Sequence, residues 1–224
     1  LGCVGLLLQM KAAGKKTGVL DLTQGELGTR GSAELRLKEA AEAARILGLS
    51  ARENLRFRDG FYANDETHQR ALIREIRRFQ PEVVISGAPL DRHPDHGRCA
   101  ALVKDAAFLS GLRRIETHFE GDLQAPWRPK RHFNLIQDYH LEPDFVVDIT
   151  PYFEGKKAAI RAYGSQFFNP ADQSSDPPSY ISSQEFWHFV EARARVMGHM
   201  VGAEYGEGFI SETPLKVNDL SALL

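Results

Sequence analysis

Cysteine is scarce: only Cys3 and Cys99 occur in 224 residues. That excludes a disulfide framework, and because each lies in an apolar, helix-like stretch, both read as small buried thiols. Such usage suits a reducing compartment and makes the cytoplasm the expected location. Long hydrophobic runs are absent too, since nothing approaches the roughly 20 apolar residues that a membrane span needs. The opening run from Leu1 to Leu8 suggests the h-region of a signal peptide, but it lacks a basic segment before it and an obvious small-residue cleavage site after it. No initiator Met precedes it, so the true beginning is expected upstream. Charge of one sign is also lacking. Lys plus Arg number 28 against 30 Asp plus Glu, a formal net charge of −2, which gives no electrostatic case for nucleic acid or an anionic membrane as partner. No Gly-x-Gly-x-x-Gly follows a strand, which argues against a plain dinucleotide-binding dehydrogenase. Internal repeats and clear linkers are missing as well, so residues 1–224 read as one domain.

What is present is a hydrophobic fraction of 42%, enough for a sizeable core without cross-links. Residues 1–13 read as a helix that is apolar on most sides, hence buried. Thr17 to Thr23 and Asn54 to Phe57 read as short strands, and residues 82–86 (EVVIS) as a third. Ser32 is a good N-cap for the helix that Gly48 stops. Further helices are expected around Leu72 to Phe79 and over 98–108. This alternation predicts an α/β fold with a doubly wound, mainly parallel sheet and helices on both faces. The second half predicts strands at 133–137 and 144–149, helices at about 152–165 and 184–200, and a polar loop over 169–179.

The stretch richest in chemistry is DRHPDHG, Asp91 to Gly97. It follows a strand and precedes a helix, where open α/β sheets bind ligands. Two histidines and an aspartate within four residues can supply a metal ligand, a proton-transfer group and a carboxylate to orient an imidazole. Spacing alone leaves a second reading open, a polar turn that caps the next helix.

Together with DLTQGELGTRGSAELRLKEA earlier and YGEGF late in the chain, DRHPDHG resembles the LmbE/PIG-L family of N-acetylglucosaminyl deacetylases. Within that family it is most similar to the bacillithiol biosynthesis deacetylases. The resemblance covers nearly the whole chain. The two longer motifs in this order are far more specific than either alone. It implies a Rossmann-like domain with Zn2+ as cofactor and a small-molecule sugar conjugate, N-acetylglucosaminyl malate, as substrate. It implies that His96 is a zinc ligand, that His93 stabilises the oxyanion or donates a proton, and that Asp95 orients His93. Arg36 matches a family arginine that lies near the metal and helps hold the substrate. The family's first motif, Ala-His-Pro-Asp-Asp, precedes a Leu-Gly-Cys-x-Gly segment, and this chain opens on Leu1-Gly2-Cys3-Val4-Gly5. The first strand, the remaining zinc ligands and the general base are therefore expected just before Leu1, and little activity is expected without them. Family members often form hexamers or smaller oligomers, which makes a homo-oligomer one expected state.

Weaker candidates lie elsewhere. Glu26 and Arg30 occupy the glycine-rich loop, where they would contact sugar hydroxyls or a substrate carboxylate, or form an ion pair within the loop. Arg30 and Arg36 together would serve the malate carboxylates. Tyr180 follows a Pro-Pro-Ser run and would support an oxyanion from a mobile loop, or else simply pack. Asp21, within a strand, needs a partner. Tyr205 and Glu207 read first as structural, and His118, His132, His140 and His188 have no partner at metal spacing. Two rival functions remain beside the malate conjugate: deacetylation of another small N-acetyl sugar, and a non-catalytic carbohydrate-binding α/β domain.

Overall fold

Residues 1–220 are described by a computed structural model of the chain. The order is α1 (Val4–Ala12), β1 (Gly18–Thr23), α2 (Ala33–Leu47), β2 (Ala51–Phe57), α3 (Glu66–Phe79), β3 (Val83–Ser86) and α4 (Pro94–Leu109). There follow β4 (His118–Phe119), β5 (Asp122–Leu123), β6 (Arg131–Leu135), β7 (Phe145–Asp148), α5 (Phe153–Arg161), α6 (Gln184–His199) and β8 (Gly206–Ser211). This is the α/β alternation that the periodicity predicts. No helix among the described residues is long and apolar enough to cross a membrane.

The chain divides into two compact units, Leu1–Tyr62 with Val146–Gly208, and Ala63–Phe145 with Phe209–Leu224. In the first, β1 and β2 pair in parallel from Gly18↔Ala51 onward. Ser32 caps α2 as its residue type demands, its Oγ accepting the Leu35 N–H at 3.1 Å. Asp21 finds its partner in Arg52, whose Nε and Nη2 donate to the carboxylate at 2.7 and 3.0 Å. α1 departs from expectation. It contacts α2 and α5, yet within it only Gly5 is fully buried and its leucines are half-buried. One contact face is covered and the others stay partly open, although the sequence is apolar nearly all round.

Glu207 and Tyr205 are structural in this unit. Glu207 is buried, accepts the Gly5 and Leu6 N–H groups at 2.9 and 2.8 Å, and pairs with buried Lys156 at 2.7 Å. A carboxylate at the start of a helix satisfies donors that the helix itself cannot. Tyr205 stacks on Phe153 with 3.7 Å between ring centroids, beside Ile149 and Ala194.

In the second unit β3 and β6 pair in parallel, with Ser86 opposite Asn134. Strand order in the larger sheet is β3-β6-β8-β7, and β8 runs antiparallel to β6. β8 falls on YGEGFIS, which the sequence reading did not assign as a strand. β4 and β5 form a small antiparallel hairpin. His132 is a satisfied histidine, its Nε2 lying 2.7 Å from Ser86 Oγ. Ser86 also donates to Asn134, and Asn134 to Glu212, so a buried polar chain ties β3, β6 and the end of β8 together. Leu72, Ile73 and Ile76 of α3 and Leu102, Val103 and Ala106 of α4 are buried as their helical spacing predicts.

A histidine pair at the ends of two parallel strands

The candidate site is built from two loops of the second unit, one leaving β3 and one leaving β6. Pro94 sets the geometry of the first. It occupies the opening position of α4, where its missing N–H is harmless. The residue before a proline is driven to extended backbone, and His93 sits there at φ −85°, ψ 124°. The helix thus begins at Pro94, inside the motif, rather than at Arg98.

This start decides which group meets which. The His93 ring caps the helix, its Nδ1 accepting the Asp95 backbone N–H at 3.2 Å. Nδ1 is therefore the bare nitrogen of His93, and Nε2 carries the proton. Asp95 holds His93 through its main chain, while its carboxylate pairs with Arg98 one turn on.

His96 is arranged the other way round. Its Nδ1 lies 2.5 Å from Oδ2 of Asp91, whose side chain is wholly buried. A carboxylate only accepts, so Nδ1 carries the proton and Nε2 presents its lone pair. Burial on its own would raise the Asp91 pKa. The His96 bond and the N–H groups of Arg92 and Asp138 outweigh burial and hold it below the usual value. Burial lowers the His96 pKa even against the pull of Asp91. The two rings stand 5.3 Å apart, centroid to centroid. One loop thus offers a proton donor at His93 Nε2 and a lone pair at His96 Nε2.

The second loop clasps the first. Asp138 and Tyr139 donate their N–H groups to Asp91, and Arg92 pairs with Asp138 at 3.2 Å. Gln137 accepts the Ala88 N–H and places its own amide nitrogen 3.4 Å from His96 Nε2. Close approach also needs Gly87, where a Cβ would come within 2.7 Å of the His96 carbonyl oxygen. Replacing Gly87 by alanine is expected to shift the His96 backbone and weaken metal binding about tenfold or more, measured by zinc titration, since displacing what orients a ligand typically costs that much.

His96 has the chemistry of a zinc ligand: a neutral imidazole, anchored by a carboxylate on its far nitrogen. It would be a single ligand. Among the described residues no group of three or more His, Cys, Asp and Glu side chains is arranged to hold a metal.

The other predicted site residues belong to the first unit. Glu26 is exposed and accepts the Asp59 N–H at 2.8 Å, which holds its carboxyl below the usual range. The Arg36 guanidinium lies where a Cβ of Gly25 or Gly28 would be, so the glycines of QGELG make room for it. It donates to Gln166, and burial lowers its pKa. Arg30 is buried, and all five of its N–H donors are engaged. Nε meets the Ser165 carbonyl, Nη1 those of Asp176 and Pro177, and Nη2 the side chains of Asp172 and Ser174. That corrects its expected role at a substrate carboxylate, because no donor is left over. Arg30→Ala is expected to speed cleavage of the 169–179 loop by a protease severalfold and to leave zinc content unchanged. Tyr180 is half-exposed and packs edge-on against Phe186 at 5.1 Å.

The chain is similar to known proteins over most of its length. The PIG-L family model, described as GlcNAc-PI de-N-acetylase, matches residues 1–107, which include the whole His93–His96 loop. The solved structure of the conserved protein TT1542 from Thermus thermophilus is 36% identical, with a TM-score of 0.84, over 96% of this chain and 90% of that one. Diacetylchitobiose deacetylase of Thermococcus kodakarensis is 27% identical over 219 residues, covering 93% of this chain and 76% of that protein. The structure of N,N'-diacetylchitobiose deacetylase from Pyrococcus horikoshii superposes with a TM-score of 0.78 at 26% identity, over 94% of this chain and 78% of that one. With the family model on the histidine loop and a relative this similar along nearly its whole length, the chain belongs to the PIG-L/LmbE family.

Proposed function

We propose that this protein removes the acetyl group from a small N-acetylglucosamine conjugate, using zinc held in part by His96. The observation that carries this is the opposite protonation of two imidazoles in one loop, with His96 Nε2 bare and His93 Nε2 protonated. Hydrolysis of an amide needs both a site for a Lewis acid and a donor for the developing oxyanion. Bound zinc would polarise the acyl carbonyl and make a water acidic enough to attack it.

The residues of this chain do the rest. Asp91 fixes the His96 tautomer, so the lone pair faces outward in every turnover. His93 donates a hydrogen bond from Nε2 to the oxyanion, and the Asp95 N–H on Nδ1 keeps the ring proton on that nitrogen. The departing amine takes the proton that a base removes from the attacking water. That base is a carboxylate in the proposed mechanism.

For the substrate, we favour N-acetylglucosaminyl malate, the bacillithiol precursor that the resemblance implies. Arg30 no longer supports that choice. The relatives' names favour a second substrate, a diacetylchitobiose-type sugar. Acetate release by the full-length protein from the malate conjugate, free N-acetylglucosamine and N,N'-diacetylchitobiose separates the two. Preference for the malate conjugate supports the first reading, preference for the disaccharide supports the second, and release from none of them refutes both.

A further inference from the structure

Asp91 joins the two loops of the histidine site, and each loop carries one large side chain that the fold leaves open beside it. Leu90 comes just before Asp91 on the β3 side and is 59% exposed. Tyr139 lies on the β6 side and is 46% exposed, and its N–H donates to Asp91 Oδ1 at 3.3 Å. The other oxygen of the same carboxylate lies 2.5 Å from His96 Nδ1. Both residues are thus attached at the group that orients His96.

The backbone beneath Tyr139 is held firmly. The Asp138 N–H also binds Asp91, Arg92 pairs with Asp138 across the loops, and Gln137 accepts the Ala88 N–H. The phenol itself is not held. Among the described residues no ring stacks on it, no cation sits over it and its hydroxyl has no hydrogen-bond partner. Single exposed apolar residues are ordinary on a protein surface. Two of them on clasped loops, at the carboxyl ends of parallel strands and beside a histidine pair, mark a place where a ligand is expected. A tyrosine on a fixed backbone presents a broad face and a polar tip, and it has only two side-chain torsions to lose when it is covered. A pyranose has the matching chemistry, a face of C–H groups with hydroxyls around its edge.

We propose that Leu90 and Tyr139 form the surface on which the sugar ring of the substrate rests, and so are specificity-determining residues for the N-acetylglucosamine unit. The inference rests on the sugar-deacetylase reading of the site and adds to it the groups that face the ring. It does not depend on what polarises the acetyl carbonyl. The contact is to the ring that both candidate substrates share, so it serves the malate conjugate and the disaccharide alike.

The test measures binding of the two deacetylated products, glucosaminyl malate and glucosaminyl-N-acetylglucosamine, to the full-length protein. Neither keeps an acetyl group on the ring in question, so affinity is read without turnover. Calorimetry gives the dissociation constant and circular dichroism the melting temperature. Tyr139→Ala is expected to weaken both products about two- to tenfold, the usual worth of an aromatic contact. Leu90→Ser is expected to weaken both about two- to fivefold. Tyr139→Phe keeps the ring and is expected to keep most of the affinity. None of the three is expected to lose stability, because both side chains stand open. Unchanged affinity in a Tyr139→Ala, Leu90→Ser double variant would overturn the proposal and leave the sugar reading standing. So would a loss in Tyr139→Phe as large as in Tyr139→Ala, because the hydroxyl alone would then make the contact. Weaker binding of the disaccharide only also overturns it, since the contact would then be to the second sugar. A melting temperature more than about 3 °C lower in Tyr139→Ala does the same, by showing that the ring packs within the chain. A parent protein that binds neither product removes the sugar reading itself, and the proposal with it.

Discussion

His96→Ala is expected to lose its zinc and at least about a thousandfold in kcat/KM for de-N-acetylation, since several kcal/mol of charge stabilisation leave with the metal. His93→Ala is expected to behave differently. Its zinc stays, its KM changes little, and kcat falls about a hundred- to a thousandfold, the usual worth of one oxyanion donor. The contrast follows from the tautomers. Asp91 directs the His96 lone pair outward, whereas the Asp95 N–H directs the His93 proton outward. Asp91→Asn should fall between them, with zinc affinity lowered about ten- to a hundredfold. Metal analysis of the purified variants alongside steady-state kinetics checks all three. If His93→Ala lost its zinc as fully as His96→Ala, the division of labour between the two rings would be wrong.

The second large effect concerns stability. Lys156 and Glu207 form a buried ion pair, their side chains only 4% and 2% exposed. Removing one member of such a pair strands the other charge and costs about 3–5 kcal/mol. Lys156→Met should therefore lower the melting temperature by roughly 6–20 °C for a chain of this size. Glu207→Leu should do comparable damage by a second route, because Gly5 and Leu6 lose the carboxylate that accepts their N–H groups. Thermal unfolding followed by circular dichroism reads both. A shift of less than about 2 °C in either variant would mean that the pair is replaced by solvent and adds little.

Much of this architecture was legible in the residues. The cap at Ser32, the stop at Gly48 and the 3.6-residue spacing of α3 and α4 are local signals, and they place the helices correctly. DRHPDHG stood out as the candidate loop for the same reason, since its residue types are unusual at such density. Which carboxylate serves which imidazole was not legible. Composition cannot say that α4 starts at Pro94, and that start carries the Asp95 side chain to Arg98 and leaves Asp91 to reach His96. Which of the two readings of Arg30 holds was not legible, because its partners lie 135 to 147 residues away along the chain. An arginine in a glycine-rich loop reads as facing a ligand until those partners are known. β8 was missed because GEGFIS has two glycines in its first three residues and ends in a serine, whereas its strand character comes from pairing with β6. Gln137 carried no local signal at all, and only the parallel register of β3 and β6 brings it to His96.

The most direct test of the account is acetate release per bound zinc, measured on the full-length protein and on its His96→Ala variant with N-acetylglucosaminyl malate and N,N'-diacetylchitobiose. The account predicts that the parent holds zinc and frees acetate from at least one of the two, and that the variant does neither. A His96→Ala protein that kept its zinc and its activity would contradict it, because the loop would then be structural and the chemistry would lie elsewhere.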